Sequence, residues 1–92
     1  MFTVTRTDVR PNMETPFFST QVHGIKQLMS ENNITRSASL SQDGLTMTTA
    51  IECPSRDTWL VLVSNEAFDT SYIQAMKAYN AMNGIISTYE TA

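Results

Sequence analysis

The segment from Ile34 to Cys53 admits few folds. Ile34 to Gln42 alternates, Asp43-Gly44 interrupts, and Leu45 to Cys53 alternates again, the pattern of two strands joined by a two-residue type I′ turn. Such a turn sets the register: Leu40 faces Met47, Ala38 faces Thr49, Arg36 faces Ile51 and Ile34 faces Cys53. The mainly apolar positions then pair on one side, while Ser41 meets Thr46, Ser39 meets Thr48, Ser37 meets Ala50 and Thr35 meets Glu52 on the other. A slip of one residue would exchange the two faces, so agreement between turn and pattern is a test that a wrong assignment fails.

The rest of the chain packs around the run from Asp57 to Gly84. Trp59 to Val63 is apolar without alternation, which predicts a central strand covered on both faces, entered by a short turn at Pro54-Ser55-Arg56-Asp57. A helix then follows. Phe68, Tyr72, Ala75, Tyr79, Met82 and Ile86 fall in a stripe about 80° wide at helical spacing, with Thr70, Gln74 and Lys77 pointing away. Asp69 suits the N-cap, Ser71 with Gln74 is a competing capping box, and Phe68 can staple against Ile73. Gly84 suits the left-handed residue after the last turn, so the helix should stop near Asn83.

Phe2 to Val9 carries threonine at positions 3, 5 and 7. It reads as a strand with Phe2 and Val4 on its apolar face, broken by Pro11. Thr15-Pro16 resembles a helix entrance, and Phe18, Val22, Ile25 and Met29 recur at helical spacing, which predicts a helix from Pro16 to Glu31. Asn32-Asn33 can end it, since asparagine tolerates the left-handed conformation. Gly24 in its middle costs about 1 kcal/mol against alanine and suggests close packing. Ile85 to Glu90 is expected to form a short last strand.

Composition narrows the function classes. With 92 residues, 41% hydrophobic and 16% charged, the chain is expected to form a single globular domain spanning residues 1–92. A net charge of -3 and scattered cations argue against nucleic-acid binding, which is built on clustered Lys and Arg. Cys53 is the one cysteine, so no intrachain disulfide forms. No stretch approaches the roughly 20 apolar residues of a membrane span, and Met1 to Arg10 lacks the apolar region of a signal peptide. The expectation is a cytoplasmic, soluble protein.

The resulting order is β-α-β-β-β-α-(β), an α+β two-layer sandwich with two helices on one face of an antiparallel-rich sheet. This order resembles the ferredoxin-like superfamily, and more narrowly the dimeric α+β barrels that include monooxygenase-like proteins. The resemblance rests on element order and length over nearly the whole chain. It implies a homodimer or higher homo-oligomer pairing sheet to sheet.

Few residues point to chemistry. His23 is the single histidine and lies about 140° around its helix from Phe18, away from the apolar stripe; without an orienting partner it reads as a surface residue. Single Cys and His residues, and carboxylates without ligand spacing, give no metal site. Nor is there a P-loop or serine elbow. No cofactor and no catalytic residue is assigned. Cys53 reads as a small core residue. Arg6, Asp8 and Arg10 share a strand face and read as solvated charges, the alternative being an anion site or pairing across an interface; Arg56-Asp57 reads as a polar turn beside Trp59, the alternative being a pocket mouth. Most of the six methionines read as core filler.

The hydroxyl-rich face made by Thr3, Thr5, Thr7, Ser37, Ser39, Ser41, Thr46 and Thr48 is different. A solvated sheet face normally carries Lys and Glu against edge pairing and stacking, and this one is almost uncharged. It is expected to be an interface, which makes the chain a non-enzymatic oligomerising domain or a module for a protein partner. The alternative is a cofactor-free enzyme of the dimeric α+β-barrel kind, with a pocket between sheet and helices using Trp59, Tyr72, Tyr79 and Arg6 or His23. A cavity of roughly 300 Å³ or more with a convergent polar group would favour the enzyme.

Overall fold

In the computed structural model, which describes residues 1–18 and 23–91, the strand β1 (Phe2–Val9) holds the middle of the sheet. Strand β3 (Thr46–Cys53) pairs on one side of it and β4 (Ile86–Thr91) on the other, with β2 (Thr35–Leu40) outside β3. All three pairings are antiparallel. The helices are α1 (His23–Glu31), α2 (Arg56–Val63), and a run of α3 (Glu66–Phe68), a π-helical stretch (Asp69–Gln74) and α4 (Ala75–Asn83). The last strand expected after Gly84 is β4.

The register of the hairpin is the expected one, with Leu40 opposite Met47, Ala38 opposite Thr49 and Arg36 opposite Ile51. Its turn is not type I′. That turn needs positive φ at both central residues, and of the two only Gly44 has it, at 75°. The loop is four residues wide, closed by Gly44 N–H to the Ser41 carbonyl (2.9 Å) and Ser41 N–H to the Thr46 carbonyl (2.8 Å). Asp43 holds it from inside, its Oδ1 accepting from Ser41 Oγ (2.5 Å) and Leu45 N–H (3.0 Å). Arg10 at the end of β1 donates to the carbonyls of Gly44 and Leu45. A two-residue and a four-residue loop centred on the same bond give the same strand register, which is why the pairing holds although the turn differs.

Residues 59–63 are helical, which corrects the expected central strand. Ser55 caps α2, accepting from Thr58 N–H at 3.2 Å, and Asp57 adds a carboxylate in the first turn where the helix dipole favours it. Thus Pro54 to Asp57 is a helix entrance rather than a turn between strands. Leu62 is buried, Trp59 and Val63 are half-buried, and Leu60 and Val61 are exposed. One-sided burial of an unalternating apolar run is what misled the strand reading.

The first helix also differs. Pro16 to Phe18 is not helical. Thr15 turns its N–H and hydroxyl back to Asn12 Oδ1 and so caps nothing, while the Thr15 and Pro16 carbonyls accept from Arg10 and from Tyr79 Oη. The expected contributions of Val22 and of the Gly24 and Ile25 side-chain positions lie outside the described residues. Its C-terminus is as expected: Asn33 is left-handed at φ 55°, with Ile34 N–H to the Met29 carbonyl and Asn33 N–H to the Ser30 carbonyl, a Schellman motif.

Asn65, not Asp69, caps the last helical run, accepting from Phe68 N–H at 3.0 Å. Asp69 instead accepts from Gln74. The wide π turn adds one residue to the helix period, so the buried positions beyond it are Met76 and Asn80 where uninterrupted α-helix would bury Ala75 and Tyr79. Met82 is 86% exposed and Ile86, on β4, is 67% exposed, so neither belongs to the core stripe. Methionine is therefore core filler at Met76 but not at Met1, Met13 or Met82. Gly84 ends the run at φ 70°.

The core joins Val4, Ile51 and Cys53 of the sheet to Ile34, Leu62 and Phe68, with Phe2, Leu28, Met29, Trp59, Tyr72 and Ile73 packed around them. Each fully buried apolar side chain contributes about 1.5–3 kcal/mol. Cys53 is a core residue, as its sequence position suggested, and burial pushes its thiol up. Among the described residues all helices lie on this one face of the sheet, and the opposite face carries none.

Candidate functional site

Strand parity makes two surfaces of the sheet. On the open face the rows read Ser39, Thr48, Thr7, Thr88 and Ser37, Ala50, Thr5, Glu90 across β2, β3, β1 and β4. Thr35, Glu52 and Thr3 flank them at one end, and Thr46, Val9 and Ile86 at the other. Seven of the eight hydroxyl residues singled out in the sequence lie here. Ser41 lies beyond β2, its hydroxyl engaged by Asp43 and by Thr46 N–H. The face holds no Lys or Arg, and its two carboxylates, Glu52 and Glu90, sit toward one end.

The helix-covered face holds a polar chain inside an apolar core. Arg6 is 2% and Asp8 4% exposed, which corrects their reading as solvated charges. Arg6 Nε donates to Asp8 Oδ2 at 2.9 Å, and Nη1 donates to Tyr72 Oη at 2.7 Å. The other Asp8 oxygen accepts from Ser87 Oγ, which in turn accepts from Asn80 Nδ2 at 2.8 Å. Buried charges are tolerated only when paired and hydrogen-bonded, and here Asp8 and Arg6 pair with each other and are tied to Ser87 of β4 and to Tyr72 and Asn80 of the last helical run. Arg6 also lies 5.6 Å from the centroid of the Tyr72 ring, which stacks on Phe68. Thr49, opposite Arg6 in the register, is fully buried and its hydroxyl has no partner among the described residues.

A cavity of about 160 Å³ opens beside this chain. Ile51, Trp59, Phe68 and Ile73 form its apolar wall, and Arg6, Tyr72, Tyr89 and Lys77 its polar one. Burial pushes the Tyr89 phenol up, against the opposing pull of the Arg6 charge. Of the pocket residues expected from sequence, Arg6, Trp59 and Tyr72 converge here. Tyr79 does not: its hydroxyl is committed to the Pro16 carbonyl and its ring packs on Phe18. The side chain of His23 lies outside the described residues.

Sequence reasoning named Asp8 and Lys77 without placing them at this site, and missed Asn80, Ser87 and Tyr89. The signal for Asp8 was its parity with Val4, which puts it on the apolar face of β1. Tyr89 and Ser87 needed the β1–β4 register, which no tight turn specifies, and Lys77 and Asn80 needed the π turn. A wider concavity of about 440 Å³ lies at the hairpin loop, lined by Ser41, Gln42, Asp43 and Thr46. Among the described residues no three His, Cys, Asp or Glu side chains gather to hold a metal, and no helix is long and apolar enough to cross a membrane.

The strand order β2-β3-β1-β4, all antiparallel, with helices on one face, defines a ferredoxin-like fold. The chain is similar in structure to a dimeric ferredoxin-like protein from an uncultured marine organism, with a TM-score of 0.62 at 10% identity over 99% of this chain and 92% of that one. An ACT domain protein from Streptococcus pneumoniae aligns with a TM-score of 0.41 at 13% identity, covering 99% and 90%. No family model and no curated protein matches the sequence. The likeness is one of fold.

Proposed function

We propose that residues 1–92 act as a single cytoplasmic homo-oligomerising domain, pairing through the open sheet face. The observation that carries this reading is the composition of that face: its central rows offer Thr5, Thr7, Thr48 and Ala50 to the outside, and no Lys or Arg guards them. Small hydroxyl side chains hydrogen-bond and interdigitate without desolvating a charge, which suits a self-complementary two-fold contact. The dimeric description of the similar marine protein is in keeping with it. A single unpaired cysteine, Cys53, fits a reducing compartment.

Light scattering on the size-excluded protein tests the proposal. We expect a mass at least twice 10.3 kDa, reduced to the monomer by Ser39→Lys with Thr48→Lys. A monomeric wild type at high concentration, or a variant of unchanged mass, overturns it. Association only with a different protein would instead assign the face to a heterologous partner.

The enzyme reading draws support from the meeting of Arg6, Trp59 and Tyr72 at one cavity. At about 160 Å³ that cavity lies below the roughly 300 Å³ of pockets that enclose drug-sized molecules and has room for a ligand of about one ring, so oligomerisation is the better supported function.

A further inference from the structure

We propose that the cavity between α2, the last helical run and the sheet binds a small monoanionic carboxylate with a planar apolar body, its carboxylate held by Arg6, Lys77 and Tyr72. The site is independent of the open sheet face and lies on the other side of the sheet.

Charge selects the ligand class. The chain carries six Lys and Arg against nine Asp and Glu, yet two of the six cations line this one cavity and no carboxylate does. Asp8 neutralises Arg6 from behind through Nε, so the three charges sum to one positive, carried toward the opening by the exposed Lys77. One negative charge completes that balance. A dianion would exceed it, and a neutral ligand would leave it unmet.

Donors are in place as well. A guanidinium carries five N–H groups in a fixed fork, of which Nε is engaged by Asp8 and one on Nη1 by Tyr72. Tyr72 Oη accepts that bond, so its own hydrogen is free to point at an acceptor. The rest of the lining, Ile51, Trp59, Phe68 and Ile73, is apolar and includes two aromatic rings. At ~30 Å³ per water the space equals about five waters, the size of one ring with a carboxylate. Apolar walls with a few convergent polar groups are the usual make-up of a small-ligand site.

The test uses the full chain and benzoate, with benzamide as its uncharged isostere. Trp59 is the one tryptophan and lines the cavity, so its fluorescence and its indole N–H resonance report on a ligand there. Benzoate is expected to shift both saturably at about 1 mM or below, as befits a ligand of this size, and benzamide to bind at least tenfold more weakly. Lys77→Glu, at an exposed position, should weaken benzoate at least tenfold and leave benzamide unchanged, and Lys77→Arg should restore it. Absence of a saturable shift, equal binding of the two probes, or indifference to Lys77→Glu overturns the proposal. Oligomer mass, measured in parallel, fails or holds separately.

Discussion

The two faces of the sheet are built from the same strands and follow opposite rules. Beneath the helices, β1 presents Val4, Arg6 and Asp8; toward the outside it presents Thr3, Thr5 and Thr7. The covered face takes the costly groups, and each charge there is satisfied by a partner from another element. The open face takes the groups that are cheap to expose and cheap to cover. Charge therefore sits where geometry can hold it fixed, and on the open face it is confined to Glu52 and Glu90 toward one end.

Breaking the covered face should cost most. Arg6→Met leaves Asp8 buried with only Ser87 for company, and a loss of about 3–5 kcal/mol is expected in urea unfolding. Adding Asp8→Leu should recover much of it. A double variant as unstable as the single one would mean that packing, not charge, dominates at Arg6. Thr49→Val acts in the opposite direction. It removes a buried hydroxyl that has no partner among the described residues at almost constant shape, so a gain of about 1 kcal/mol is expected; a loss would reveal a hydrogen bond that the hydroxyl makes.

The open face should respond weakly. Thr5→Val keeps the β-branched shape, and monomer stability should stay within about 0.5 kcal/mol of wild type. A larger effect would mean that the face is already covered within one chain. Smallest of all is the exposed hairpin loop. The Asp43 carboxyl is held below its ordinary value by hydrogen bonds from Ser41 and from Leu45 N–H. Its folded pKa being the lower, its contribution is present above the unfolded value and is lost as pH falls through the folded one. Asp43→Asn should therefore unfold with less dependence on pH in the acid range, and identical acid profiles would assign no role to the loop bonds.

The fold was legible where two local signals agreed. In the hairpin, alternation and Asp43-Gly44 both point to the pairing that forms, and Gly84 marks the helix end by its left-handed backbone alone. Trp59 to Val63 shows the opposite case, since β-branched and aromatic side chains favour a strand while the deciding cap, Ser55, sits just outside the run. The open face was readable from parity, because threonine at alternate positions keeps one side whatever the partner. The cavity was readable only in part. Arg6, Trp59 and Tyr72 stand out as large polar or aromatic groups, but Lys77 and Asn80 take their places through a helical irregularity that leaves no mark in side-chain chemistry.

That irregularity gives the chain a tolerance in length. The π stretch from Asp69 to Gln74 holds one surplus residue, as an insertion absorbed without a loop. Deleting Gln74, which is exposed, would let the helix close with ordinary α periodicity while Met76 and Asn80 still face the sheet. The same deletion made at Ala78, below the π turn, would rotate Asn80 by about 100° away from Ser87 and open the chain of hydrogen bonds that ends on Arg6. Two neighbouring residues of similar exposure thus differ in whether the protein can do without them.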